Sequence, residues 1–150
     1  MNQDELVNLV NQIKEEFNEN DIENIMETID NNNTSYLENN SIEKILKDIN
    51  EVLNENNVDD IENKISKLIN YIYIDEICDI HKGKNLKFIR KNDCKFFNGG
   101  LVLDIKFLSN GTHIMCKNFH NIKQYKFDDF LCFQKLTNEE LLILMANDLV

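Results

Sequence analysis

A chain of 150 residues suits one domain or two very small ones, and its 42% apolar content supports a packed core. It has no proline or tryptophan, a single alanine and a large excess of Asn, Ile and Lys, the codon bias of an AT-rich genome such as that of a giant DNA virus. The formal net charge is −11; with no basic-then-apolar leader and no apolar run of spanning length, the pattern predicts an intracellular protein, neither secreted nor membrane-spanning.

Taken in chain order, the first half reads as helical. In "DELVNLVNQIKEEF" Leu6, Val10, Ile13 and Phe17 recur at three- and four-residue steps on one face. "DIENIMETID" follows, with Asp21 as N-cap and Ile22, Ile25, Met26 and Ile29 apolar. After the loop "NNNTSYLENN" comes "SIEKILKDINEVL", capped by Ser41, with Ile42, Ile45, Leu46 and Ile49 inward. "DDIENKISKLINYI" closes the set through Ile61, Ile65, Leu68, Ile69 and Ile72. Four amphipathic segments of this length are expected to share one core as a bundle.

Past Asp75 the period shortens to two. "NLKFIRKND", "GGLVLDIKF", "THIMCKN", "NIKQYKF" and "FLCFQK" read as five strands, with Asn110-Gly111 the strongest hairpin signal. Strict alternation puts Leu101, Leu103, Ile105 and Phe107 on one face, and Val102, Asp104 and Lys106 on the other. Gly99-Gly100 is read as a backbone requirement where the chain turns into the sheet. "LTNEELLILMAND" ends the pattern as a helix, with Thr137 and Glu140 at capping-box spacing.

Charge divides the chain. Residues 1–76 carry five Lys against nineteen acids, whereas 77–135 carry eleven Lys or Arg against five acids. An acidic half and a basic half imply different partners, or halves that attract one another.

Several constellations can be weighed for chemistry. Asp93, Asp104 and Lys106 have the spacing of a metal-dependent nuclease, but more strands follow the Asp-x-Lys strand where that chemistry expects a helix. Cys78-x2-His81 and His113-x2-Cys116, with His120 nearby, have zinc-like spacing, yet a three-residue step along a strand sends His113 and Cys116 to opposite faces. Cys78, Cys94, Cys116 and Cys132 are read as reduced thiols, and no signature supports a Cys–His nucleophile. No catalytic residue, metal or cofactor is therefore expected. The basic segment instead interleaves cations with aromatics, as surfaces that grip single-stranded nucleic acid do. Lys87, Arg90, Lys117, Lys123 and Lys126 are the expected phosphate contacts; Phe97, Phe119 and Tyr125 are the expected stacking rings. An aromatic cage for a methylated side chain would need several rings to converge.

"TSYLENNSIEKILKDINEV" followed by "DDIENKISKLINYI" resembles the N-terminal helical-bundle domain of transcription elongation factor TFIIS. Leu37, Ile42, Leu46, Ile49, Ile61, Ile65, Leu68 and Ile72 take the family's apolar places. Asn40 stands where the family has Thr, Glu43 where it has Gly, Ile65 where it has Ala and Ile72 where it has Trp. The resemblance implies a docking domain for short linear motifs of transcription proteins, without an active site. Residues 77–135 look like an SH3- or Tudor-like small barrel in strand count and turn placement.

The expected fold is thus α+β: an acidic four-helix bundle in residues 1–76, then a basic five-stranded SH3-like β-barrel with a C-terminal helix in 77–150. The expected function is that of a non-catalytic adaptor, the helices docking a protein partner and the strands contacting RNA, DNA or protein. A structural scaffold component is the alternative, and the nuclease a third.

Overall fold

In a computed structural model the described residues are 3–15 (side chains of 4–11), 37 and 40–148. Among them are four α-helices, α1 (Gln3–Glu15), α2 (Ile42–Glu55), α3 (Ile61–Lys67) and α4 (Asn138–Asp148). Six strands complete the fold: β1 (Tyr71–Ile74), β2 (Asn85–Arg90), β3 (Phe96–Leu108), β4 (Gly111–Asn118), β5 (Asn121–Lys126) and β6 (Phe130–Lys135). The chain divides into two compact units, one of residues 1–52 with 136–150, the other Leu53–Lys135.

The expected four-helix bundle followed by a five-stranded barrel is not what forms. The helices are split along the chain, and there is one six-stranded antiparallel sheet, in the order β1-β6-β2-β3-β4-β5. The extra strand comes from the stretch read as the end of the fourth helix. That helix stops at Lys67, the Leu68 N–H bonds to Ile65 O, and Asn70 turns the chain at φ 70°. "YIYI" then pairs with β6, Tyr71 opposite Lys135 and Ile74 opposite Cys132. Helical spacing of Ile65, Leu68, Ile69 and Ile72 hid the strand preference of alternating aromatic and β-branched residues. The helix expected near 21–30 lies outside the described residues.

In the first unit, Leu6 and Val10 of α1 are buried, as are Ile42, Ile45, Leu46 and Ile49 of α2. Ser41 Oγ accepts the Lys44 N–H at 3.1 Å, a cap on α2. Thr137 and Glu140 close a capping box on α4: Thr137 N–H donates to Glu140 Oε1 at 3.0 Å and Glu140 N–H to Thr137 Oγ1 at 3.1 Å. Helix α4 buries Leu141, Leu142, Leu144, Met145 and Ala146, nearly its whole circumference. The Asn147 amide donates to the carbonyls of Leu37 and Asn40, each at 3.0 Å, tying α4 to the start of α2.

In the second unit, β2, β3, β4 and β5 form a meander, a 3-10 turn (Phe127–Asp129) follows, and β6 returns beside β2. Two strands separate β2 from β5, so a flat sheet would hold them ~14 Å apart. Their rings nevertheless stack: Phe88 and Tyr125 lie 4.1 Å apart at 12°. The sheet is therefore strongly coiled around a core that includes Leu86, Phe88, Val102, Ile114, Cys116, Tyr125 and Cys132. A bulge between Val102 and Asp104 permits the coiling and resets the faces of β3. Val102 points into the core with Leu101 and Leu103 exposed, in keeping with alternation, but after the bulge Ile105 packs on Val102's side instead of sharing the face of Leu101 and Leu103.

Gly99-Gly100 lets β3 approach its neighbours closely. Gly100 has φ 91°, and a Cβ there would overlap Lys117 O and sit 2.9 Å from its carbonyl carbon. At Gly99 a Cβ would collide with the Phe88 ring. The pair is a packing device. Gln134, buried in β6, braces the β1–β2 connection by accepting the His81 N–H at 2.9 Å and donating to Asp79 O at 3.1 Å.

Candidate nucleic-acid interface

The β4–β5 hairpin turns through two residues, Phe119 and His120, between the paired Asn118 and Asn121. Such a tight loop requires positive φ in its first position, usually supplied by Gly or Asn. Here Phe119 takes it at φ 56°, with its ring 86% exposed. A bulky residue in that region is strained, and strain of this kind concentrates where a side chain serves binding.

Cations flank the turn on both faces of the hairpin. Lys117 lies on the outer face in a rung with Leu101 and Ile122, both exposed. Lys123 stands opposite Cys116 on the inner face and reaches the mouth of a small pocket. That pocket, about 60 Å³, is lined by Asn98, Gly99, Cys116, Asn118, Asn121, Lys123 and Tyr125. The Asn118 amide donates to Asn98 O at 3.1 Å, holding the turn against β3.

The other expected residues lie elsewhere. Lys126 pairs with His113 towards the opposite end of the hairpin, against Gly111. Lys87 is half-buried over Tyr71, its Nζ 4.5 Å from the ring centroid and donating to Lys67 O at 2.7 Å. Burial, then the charges of Lys135 and Lys67, hold its ammonium below the usual lysine range. Arg90 bonds Asp93 at 3.1 Å and lies 4.8 Å over the Phe97 ring, with Lys95 5.3 Å from the same ring. Those contacts occupy Phe97 and Arg90 with each other. Tyr125 is buried among Phe88, Phe97 and Phe130, at centroid distances of 4.1, 6.3 and 5.3 Å. It belongs to the core and presents no face to a base. Four rings do converge here, but Phe88 is fully buried and Phe97 carries its own cations.

The nuclease set is not assembled. Asp93 sits in the β2–β3 turn, and Asp104 lies far along β3 with its Oδ1 3.1 Å from Lys82 Nζ. The Lys82 hydrogen bond first, then the Ile105 N–H, keep the Asp104 carboxyl below its ordinary value. In Asp93 burial pushes upward, but bonds from the Lys95 N–H and Arg90 outweigh it and the carboxyl again lies low. Lys106 is exposed, opposite His113.

The zinc pairs also separate. Cys116 is buried, its thiol pushed up to about 12 by burial, whereas His113 sits 3.1 Å from Asn110 Oδ1 at the hairpin. Among the described residues one exposed group, Glu76, Cys78 and Asp79, brings ligand atoms within 4.8 Å of one another. Desolvation, then the carboxylates of Asp79 and Glu76, push the Cys78 thiol up, against the thiolate a metal would need.

Sequence reasoning named Lys117, Phe119 and Lys123 but missed Asn98, Asn118 and Asn121. The signal for Asn118 and Asn121 was the string "NFHN", a two-residue turn with an aromatic between asparagines, whereas nothing local marked Asn98. Among the described residues no helix is long and apolar enough to cross a membrane. No protein-family model matches the chain, and neither curated proteins nor solved structures gave a match.

Proposed function

We propose that this chain is a non-catalytic adaptor whose sheet unit contacts nucleic acid through the β4–β5 hairpin. The observation that carries the reading is Phe119, an 86% exposed ring held at positive φ between two lysine-bearing strands. A base stacked on such a ring contributes roughly 1–3 kcal/mol, and lysines beside it neutralise the adjoining phosphates. Charge supports the same assignment. The first unit has three lysines against sixteen acids and repels phosphate, whereas the sheet unit has thirteen Lys or Arg against eleven acids. Strands β3, β4 and β5 carry Lys106, Lys117, Lys123 and Lys126 with Asp104 as their sole acid, already paired with Lys82. The acidic first unit is left to hold a protein partner of basic character.

The test is fluorescence anisotropy of labelled single- and double-stranded RNA and DNA with the full chain across a salt series. Binding that weakens steeply with salt and falls several-fold in Phe119→Ala is expected. No binding to any of the four at low salt refutes the reading.

A further inference from the structure

The pocket beneath the β4–β5 turn and the exposed ring above it belong to one surface. Every side chain lining the pocket is neutral or cationic: three asparagines, Lys123, the Tyr125 ring and the protonated Cys116 thiol. At about 60 Å³ it is several times larger than the ~10–15 Å³ that a single ordered water needs. Asparagine amides and an ammonium donate hydrogen bonds, which suits an anion with several acceptor oxygens. Phe119 adds a flat apolar face whose natural guest is an unpaired base, because a duplex keeps its bases stacked within itself.

From this juxtaposition we propose that the pocket seats one phosphate of a single-stranded polynucleotide, with the adjoining base stacked on Phe119. The inference rests on the nucleic-acid reading and narrows it to single strands bound in a defined register. Lys123 neutralises the seated phosphate and the Asn121 and Asn118 amides are its neighbours in the wall. Lys117, on the opposite face of the hairpin, meets the next phosphate as the strand crosses the turn. Leu101 and Ile122 flank Lys117 and give apolar contact to the following sugar or base.

The experiment uses the full chain and two fluorescein-labelled probes, an oligo-dT of about fifteen nucleotides and the same strand annealed to oligo-dA. Wild type is expected to favour the single strand by tenfold or more. Lys123→Ala should weaken single-strand binding several-fold and lower the slope of log K against log salt by about one. Asn121→Asp, which puts a carboxylate in the pocket wall, should weaken it tenfold or more. Circular dichroism melts of both variants control for folding, and Lys123→Gln, which keeps the side-chain length, should behave as Lys123→Ala. Salt-sensitive binding that both pocket variants leave unchanged overturns the pocket while the general reading stands. A preference for the duplex overturns the single-strand assignment. Absence of binding by wild type to either probe at low salt removes the underlying reading as well.

Discussion

Adding a methyl group at Gly99 and at Gly100 should destabilise the sheet unit by two different routes. At Gly100 the new Cβ would overlap Lys117 O, lie 2.9 Å from its carbonyl carbon and 3.1 Å from Asn118 Cα, all backbone of the paired strand. The residue would also be held at φ 91°, which costs of order 1–3 kcal/mol for a side chain with a Cβ. Moving the paired strand adds roughly 1–3 kcal/mol of overpacking strain. Gly100→Ala should therefore cost about 2–6 kcal/mol, a large share of the stability of a chain this size.

At Gly99 the obstacle is a side chain: the Phe88 ring, with Cδ2 2.7 Å away, fully buried and stacked on Tyr125. Gly99→Ala should cost about 1–3 kcal/mol, and shrinking the obstacle should restore part of it. In a double-mutant cycle with Phe88→Leu, a favourable coupling of about 1–2 kcal/mol is expected for Gly99→Ala and near zero for Gly100→Ala. Urea unfolding followed by circular dichroism measures all six proteins, with m-values checked for constancy. If Phe88→Leu rescues Gly100→Ala as well as Gly99→Ala, or if neither alanine costs more than about 0.5 kcal/mol, the close-approach argument is wrong.

Three more outcomes follow from the geometry. Phe119→Asn should relieve most of the ~1–2 kcal/mol left-handed penalty while losing little burial, so the thermal midpoint rises by a few degrees as oligonucleotide binding falls; a lower midpoint would mean the ring supports the fold. Burial shields the thiols of Cys116 (pushed up to about 12) and Cys132, so a thiol reagent should label those two only on unfolding. Exposed Cys78 should label in the native protein, slowly because its own thiol is also held up by desolvation, Asp79 and Glu76. Rapid labelling of Cys132 in the native protein would contradict the packing of β6. Burial raises the Glu140 carboxyl above its ordinary 4.5, so its contribution is present below that pH and lost as pH rises through the folded value. Relative to Glu140→Gln, which keeps the oxygen that accepts the Thr137 N–H, wild type should lose stability as pH rises above the ordinary carboxyl value. A pH-independent difference in urea midpoints would refute this.

Local pattern was enough to locate much of the chain. The inward faces of α1 and α2, the Ser41 cap, the Thr137–Glu140 capping box and strands β2 to β6 all follow from short-range spacing, because helix and strand periods and caps act within a few residues. Turn chemistry likewise located a hairpin near Asn110-Gly111, its turn being Ser109-Asn110, whereas the glycine pair read as a turn into the sheet lies inside β3 where the packing is close. Of the surface proposed to bind nucleic acid, Lys117, Phe119 and Lys123 are singled out by residue type and charge alone. Long-range pairing decided the rest. The edge β1 exists because β6, more than fifty residues later, offers it a ladder, and no local period distinguishes "YIYI" from the end of a helix. The bulge in β3 moved Ile105 off the face it was expected to share with Leu101 and Leu103 and onto that of Val102, since coiling of the whole sheet selects where a strand must bend. That same coiling drew Tyr125 onto Phe88 and out of reach of a ligand, and left Phe119 at the tip of its hairpin. It also gathered Asn98, Asn118 and Asn121 around a pocket. Which aromatic is buried and which is presented depends on how strands far apart in the chain meet, and a one-dimensional pattern does not contain that.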